Sequence, residues 1–168
     1  MYKPIVLTII TGLMVGCTTD GRMIDDNVGR SNKGATMVMM SARTLSVSIA
    51  CPPDKVYEFV SNPENIPKWA KGLGKSVSRE GNYWIVESSL GSMRVRFAEN
   101  NKFGVLDQYV TTPSGVEVYV PLRVLANGKG SEVVFTLFRL PDMTDEKYAE
   151  DSKMVEQDLK TLKDLLEK

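Results

Sequence analysis

Apolar and polar residues alternate from Arg43 to Ala50, where Leu45, Val47 and Ile49 stand against Thr44, Ser46 and Ser48. A period of two over the whole run predicts a β-strand with one buried face. Cys51-Pro52-Pro53-Asp54 stops that strand, and a proline at an early helical position opens a helix. Within it Val56, Phe59 and Val60 fall at i, i+3 and i+4 and form an apolar stripe with Tyr57 at its edge. Ser61-Asn62-Pro63 breaks this helix and caps a second, from Pro63 to Trp69, which Gly72 and Gly74 end.

From Lys75 to Arg139 short β-rich runs alternate with turn residues, the pattern of an antiparallel meander. Strands are predicted at Lys75 to Arg79, Tyr83 to Ser88, Ser92 to Glu99, Gly104 to Thr111, Glu117 to Leu125 and Ser131 to Leu140, which with the first makes seven. The breaks between them, such as Glu80-Gly81-Asn82, Leu90-Gly91 and Asn127-Gly128-Lys129-Gly130, carry residues suited to tight turns. A final helix opens with Thr144 as N-cap and acidic residues in its first turn. Tyr148, Ser152, Val155, Leu159, Leu162 and Leu166 recur at spacings of three and four, turning one stripe inward over about six turns. The order is β-α-α-β6-α, an α+β chain.

Composition removes several functions. The 21 basic and 21 acidic residues cancel, so the electrostatic footprint of nucleic-acid binding is missing and no nucleic-acid partner is expected. The chain has no histidine, which excludes an imidazole base, a histidine-dependent triad and a histidine-ligated metal. Its two cysteines, Cys17 and Cys51, are too few for a thiolate cage, and Cys51 reads as a small, partly buried hydrophobe. Neither a metal nor a cofactor is expected.

The element order, the strand Leu45-Ser46-Val47-Ser48-Ile49 and the stretch Pro53-Asp54-Lys55-Val56-Tyr57-Glu58-Phe59-Val60-Ser61-Asn62-Pro63-Glu64-Asn65-Ile66-Pro67-Lys68-Trp69 resemble the SRPBCC superfamily. That group includes START lipid-transfer domains, polyketide cyclases and plant pollen-allergen folds. Gly104-Val105-Leu106-Asp107, Glu117-Val118-Tyr119-Val120-Pro121 and Glu132-Val133-Val134-Phe135-Thr136 look like later strands of its bacterial members. The resemblance implies a helix-grip fold, a seven-stranded curved antiparallel sheet closed over a long C-terminal helix around an apolar cavity.

Trp69, Trp84, Phe97, Phe135, Tyr148, Val155 and Leu159 are the candidate ligand-binding residues of that cavity. Strand alternation opposite Arg96, Glu132 and Thr136 selects them, together with the inward stripe of the last helix; ordinary core packing is the competing reading of each, and Ile85 competes with Trp84 for its face. Catalysis in the cyclases and dehydratases that the chain resembles uses inward polar groups. Asp107 and Tyr109 could form an acid-base pair or a solvated edge, and Arg94 and Arg96 read as an outer surface or an anionic-headgroup site. Binding or carriage of a hydrophobic small molecule or lipid is the favoured function. A cyclase- or dehydratase-like enzyme without histidine is the alternative, and an interaction module for a protein or quinone-bearing partner is a third.

Residues 1–17 carry one basic residue and then an apolar run too short to span a bilayer, ending in Leu13-Met14-Val15-Gly16-Cys17. This segment resembles a bacterial signal peptide and lipobox, which implies lipidation at Cys17. Residues 18–42, rich in Gly, Asn, Asp, Ser and Thr, read as a flexible tether, and 43–168 as the helix-grip domain. A membrane-anchored lipoprotein on the periplasmic side is expected, with Thr18 after the cysteine favouring the outer membrane. Translation from Met37, Met39 or Met40 would instead give a cytoplasmic domain. If Cys17 is acylated, several chains at about 0.8 kcal/mol per buried methylene hold the protein on the membrane. Cys17→Ala is then expected to release it or leave a precursor on fractionation; an unlipidated chain starting at Met37, Met39 or Met40 would contradict the anchor.

Overall fold

A computed structural model describes residues 39–88 and 91–168. Leu90 of one expected turn, Cys17, the segment 1–17 and the tether as far as residue 38 lie outside the described residues. The elements follow one another as β1 (Ala42–Ile49), α1 (Pro53–Ser61), a 3-10 turn (Pro63–Asn65), α2 (Ile66–Trp69), β2 (Ser76–Glu80), β3 (Tyr83–Ser88), β4 (Gly91–Phe97), β5 (Gln108–Thr111), β6 (Glu117–Val120), β7 (Leu122–Asn127), β8 (Gly130–Phe138) and α3 (Asp145–Leu166). This is the helix-grip arrangement, a curved antiparallel sheet with a long C-terminal helix.

The sheet is hydrogen-bonded in two parts, β2-β3-β4-β5-β6 and β1-β8-β7. Among the described residues eight strands stand where seven were expected, because the run Glu117 to Leu125 divides at Pro121. Proline has no N–H to offer the ladder, so β6 ends there and the chain turns into β7. The carbonyl of Pro121 accepts a hydrogen bond from the Thr136 N–H of β8 (3.0 Å), so the break becomes the joint between the two parts. The run Gly104 to Thr111 is likewise shortened to β5. Its first half lies along β7, with Leu106 N–H bonded to Leu122 O (2.9 Å) and Val124 N–H to Gly104 O (2.9 Å). Gly104 sits at φ 71°, and a Cβ there would come within 2.0 Å of the Val124 carbonyl oxygen, so only glycine fits this approach.

Asp107 closes the joint. Only 8% exposed, its carboxylate accepts from the Tyr119 hydroxyl (2.7 Å), the Leu122 N–H (3.1 Å) and the Arg123 guanidinium, with which it forms an ion pair. Both carboxylate oxygens therefore have donors, which is the condition for keeping a carboxylate out of water. Tyr109 is not its partner. The Tyr109 ring lies on the outer face between Arg96 (4.1 Å above it) and the Tyr119 ring (5.2 Å), and Arg94 stacks on Tyr83 in the same layer.

The core fills the concave side with Ile49, Val56, Val60, Ile66, Val86, Val95, Leu122 and Val133, and α3 lays Val155, Leu159 and Leu162 across it. Both ends of α3 are fastened. Thr144 Oγ1 caps it by accepting from Lys147 N–H (3.2 Å), while at the far end Lys163 Nζ donates to Ser48 O (2.7 Å) and Glu167 accepts from Ala50 N–H (2.6 Å). The helix is thus pinned to β1 as well as packed on the sheet.

Removing the Asp107 carboxylate leaves Arg123 and a buried N–H without their acceptor. Asp107→Ala should lower the unfolding free energy by about 2 to 3 kcal/mol, below the full value for a buried pair because the Arg123 side chain is 34% exposed. Tyr119→Phe, which deletes one hydroxyl, should cost about 1 kcal/mol. Urea denaturation measures both, and an Asp107→Ala effect no larger than that of Tyr119→Phe would show that the joint is held elsewhere.

Candidate functional site

Between α3, α2 and the concave face of the sheet lies a partly open cavity of about 150 Å³. That is room for roughly one aromatic ring or a short alkyl segment. Strand alternation builds its sheet side: Val110, Val118 and Val120 point inward from β5 and β6, and Phe135 and Leu137 from β8. Ile66 and Trp69 of α2 close one side, and Val155 and Leu159 of α3 cover it. The lining is overwhelmingly apolar.

The polar groups on the wall are few. Gln108 and Thr112 come from β5 and its end, and two carboxylates, Asp151 and Asp158, come from α3. Thr112 is occupied by the turn that follows, its hydroxyl within hydrogen-bonding distance of Ser114 Oγ (2.9 Å) and Val116 O (3.1 Å). Asp151 is 4% exposed and bonded to the Lys147 ammonium. Burial pushes its carboxyl above the usual range, and Lys147 opposes the shift. Asp158 is raised further, to about 7, again by burial; backbone hydrogen bonds from Gly72 and Lys71 and the charge of Lys71 hold it down only in part. The cavity therefore combines an apolar lining with a carboxyl that titrates near neutrality.

Of the residues selected from the sequence, Trp69, Phe135, Val155 and Leu159 meet around this space. Trp84, Phe97 and Tyr148 lie apart from its lining. Trp84 faces inward opposite Val95 on the neighbouring strand, and Phe97 shares that strand's inner face, but both pack partly buried against the core away from the opening. Tyr148 stands near the start of α3, where its hydroxyl donates to Leu137 O (3.1 Å) and Arg43 covers its ring (5.4 Å). The sequence reading does not single out Asp151 or Asp158. The signal that could have found them is their spacing, since Asp151, Val155, Asp158 and Leu162 recur at steps of four, three and four. Two further polar atoms in this region, Trp69 Nε1 and Ser152 Oγ, are buried without a hydrogen-bond partner among the described residues.

A family model described as polyketide cyclase / dehydrase and lipid transport matches residues 40–167. Comparison with curated proteins gave no match. Among solved structures, the chain is similar to the Aha1 dimer from Colwellia psychrerythraea, at a TM-score of 0.62 and 17% identity over 76% of this chain and 97% of that one. It is also similar to XoxI from Bacillus cereus (TM-score 0.61, 16% identity, 76% and 96% covered). A START superfamily protein from Mycobacterium smegmatis matches at a TM-score of 0.58 and 11% identity, with 75% and 97% covered. At such identities the likeness is one of fold.

The elevated Asp158 carboxyl sets a pH dependence of stability. Because its folded pKa of about 7 lies above the ordinary 3.8, the native state keeps a proton that the unfolded chain has already released between those values. Stability is therefore fullest below the ordinary pKa and falls as pH rises toward and through 7. Asp158→Asn should flatten this fall in melts run from pH 5 to pH 8, and parallel profiles for the two proteins would contradict the assignment.

Proposed function

The chain belongs to the polyketide cyclase / dehydrase and lipid transport family, and from that premise we propose that it binds a hydrophobic small molecule between the sheet and α3. The observation that carries this reading is the apolar cavity itself, bounded by Val110, Phe135, Val155 and Leu159. A space lined in this way favours apolar ligands through the area they remove from water, at roughly 25 cal/mol per Å² before the costs of ordering. With a lipid anchor at Cys17, the domain would take up and release such a molecule at a membrane surface.

A second reading, acid-base catalysis on the bound molecule, is favoured by one observation. Asp158 titrates near 7, the range that suits proton transfer at neutral pH. It ranks behind binding because Asp151 is tied to Lys147 and the Thr112 hydroxyl to its own turn, which leaves Asp158 without a second free acid or base on the cavity wall among the described residues.

Titration of the full-length protein with the uncharged dye N-phenyl-1-naphthylamine, one ring of which fills the space while the rest occupies its open side, should give a saturable fluorescence rise at one dye per chain. Val155→Trp, which fills the space from the helix side, should abolish most of that signal while the fold persists by circular dichroism. A non-saturable signal, or one unchanged in Val155→Trp, would remove the cavity-ligand reading.

A further inference from the structure

We infer that the ligand of this cavity ends in a positively charged amine seated against the Asp158 carboxylate, and that the cavity discriminates against apolar molecules ending in a carboxylate. The inference rests on the apolar-ligand reading and adds the chemistry of the head group.

The wall is asymmetric in charge. Every side chain that the sheet contributes is uncharged, and both carboxylates come from α3. Asp151 and Asp158 stand about two turns apart on the same side of the helix, with Val155 between them. They are not equivalent. Asp151 is neutralised by Lys147, which also reaches Glu150 at 3.9 Å. The other ion pairs of α3 join Arg139 to Asp145, Lys160 to Asp164 and Lys163 to Glu167, and leave Asp158 out. Asp158 has backbone N–H groups of Lys71 and Gly72 from the turn after α2, and the Lys71 ammonium acts on it through the field alone. Its charge is thus the one on the cavity wall that a ligand could complete.

An ammonium placed there gains an attraction several times stronger than in bulk water, because the apolar walls lower the local dielectric. A carboxylate placed there meets a like charge and binds only if one of the two takes up a proton. An alcohol meets neither effect and serves as the reference. The amine requires Asp158 ionised, and the charged group that acts on that ionisation is Lys71 from the turn after α2; Asp151, paired with Lys147, shares the cavity wall on α3, and the sheet lining carries no charged side chain. With the carboxyl half-ionised near 7, amine affinity should rise about tenfold from pH 6 to pH 8. A primary alkylamine stays charged throughout that range.

Octylamine, 1-octanol and octanoate are to be compared as competitors of the uncharged dye on the full-length protein at pH 6 and pH 8. At pH 8 octylamine should displace the dye at a concentration at least tenfold below octanoate, and its own affinity should drop about tenfold at pH 6. Asp158→Asn should erase the preference, so that octylamine and octanoate compete with similar strength at pH 8. The wild-type pH dependence decides the matter even if that variant does not fold. Octanoate binding as well as octylamine at pH 8, or a preference for the amine that survives Asp158→Asn, would overturn the inference. If dye and 1-octanol bind without any head-group preference, only this inference falls. If the dye does not bind saturably, the cavity-ligand reading falls and takes this one with it.

Discussion

The Asp107 carboxylate is a charge held out of water at the point where the two parts of the sheet meet, and the rest of the architecture depends on its being satisfied. Three donors converge on it from β6 and β7: a tyrosine hydroxyl, a backbone N–H and a guanidinium. They come from both sides of Pro121, the residue at which the ladder has to break. A break in a sheet ordinarily leaves unpaired polar groups, and these are costly when buried. Here the side chain of Asp107 replaces the missing ladder partner of Leu122. The sheet can therefore change direction without exposing its backbone, and the five-stranded part faces the three-stranded part across a concave surface.

That concavity explains why a cavity exists at all. A single helix fastened to β1 at one end and capped at the other cannot follow a curved sheet along its whole length, so close packing is reached at Leu162 but not in front of Val110 and Phe135. Two desolvated carboxylates beside this gap work against stability, since burial raises both pKa values. One has its own counter-ion and the other faces only backbone N–H groups and a more distant lysine. Groups that disfavour folding yet sit on the wall of a cavity are where physical reasoning places function.

Much of the fold was legible in the sequence because the local signals agreed with the tertiary outcome. The alternation in β1, the proline opening α1, the Thr144 cap and the three-four stripe of α3 each have one physical reading. Pro121 was as visible as these, but a long apolar run masked it, and only the pairing of residues 104–107 with β7 reveals the joint. The candidate site was less legible. Periodicity says which side of a strand faces inward but not how far along it the packing opens, so Phe135 and Trp69 reach the cavity while Trp84 and Phe97, also inward, pack into the core. Asp158 lies next to Leu159 in sequence and carries a charge, which reads as solvent exposure until the turn at Lys71 and Gly72 is placed over it.

The central claim is that the apolar part of a small molecule occupies the space between the sheet and α3, and intermolecular NOEs test it most directly. With methyl-labelled full-length protein saturated with 1-octanol, contacts from the ligand chain to the methyl groups of Val110, Val155 and Leu159 are predicted. Contacts confined to exposed apolar residues such as Val116 and Leu125, 40% and 47% accessible, would contradict the account.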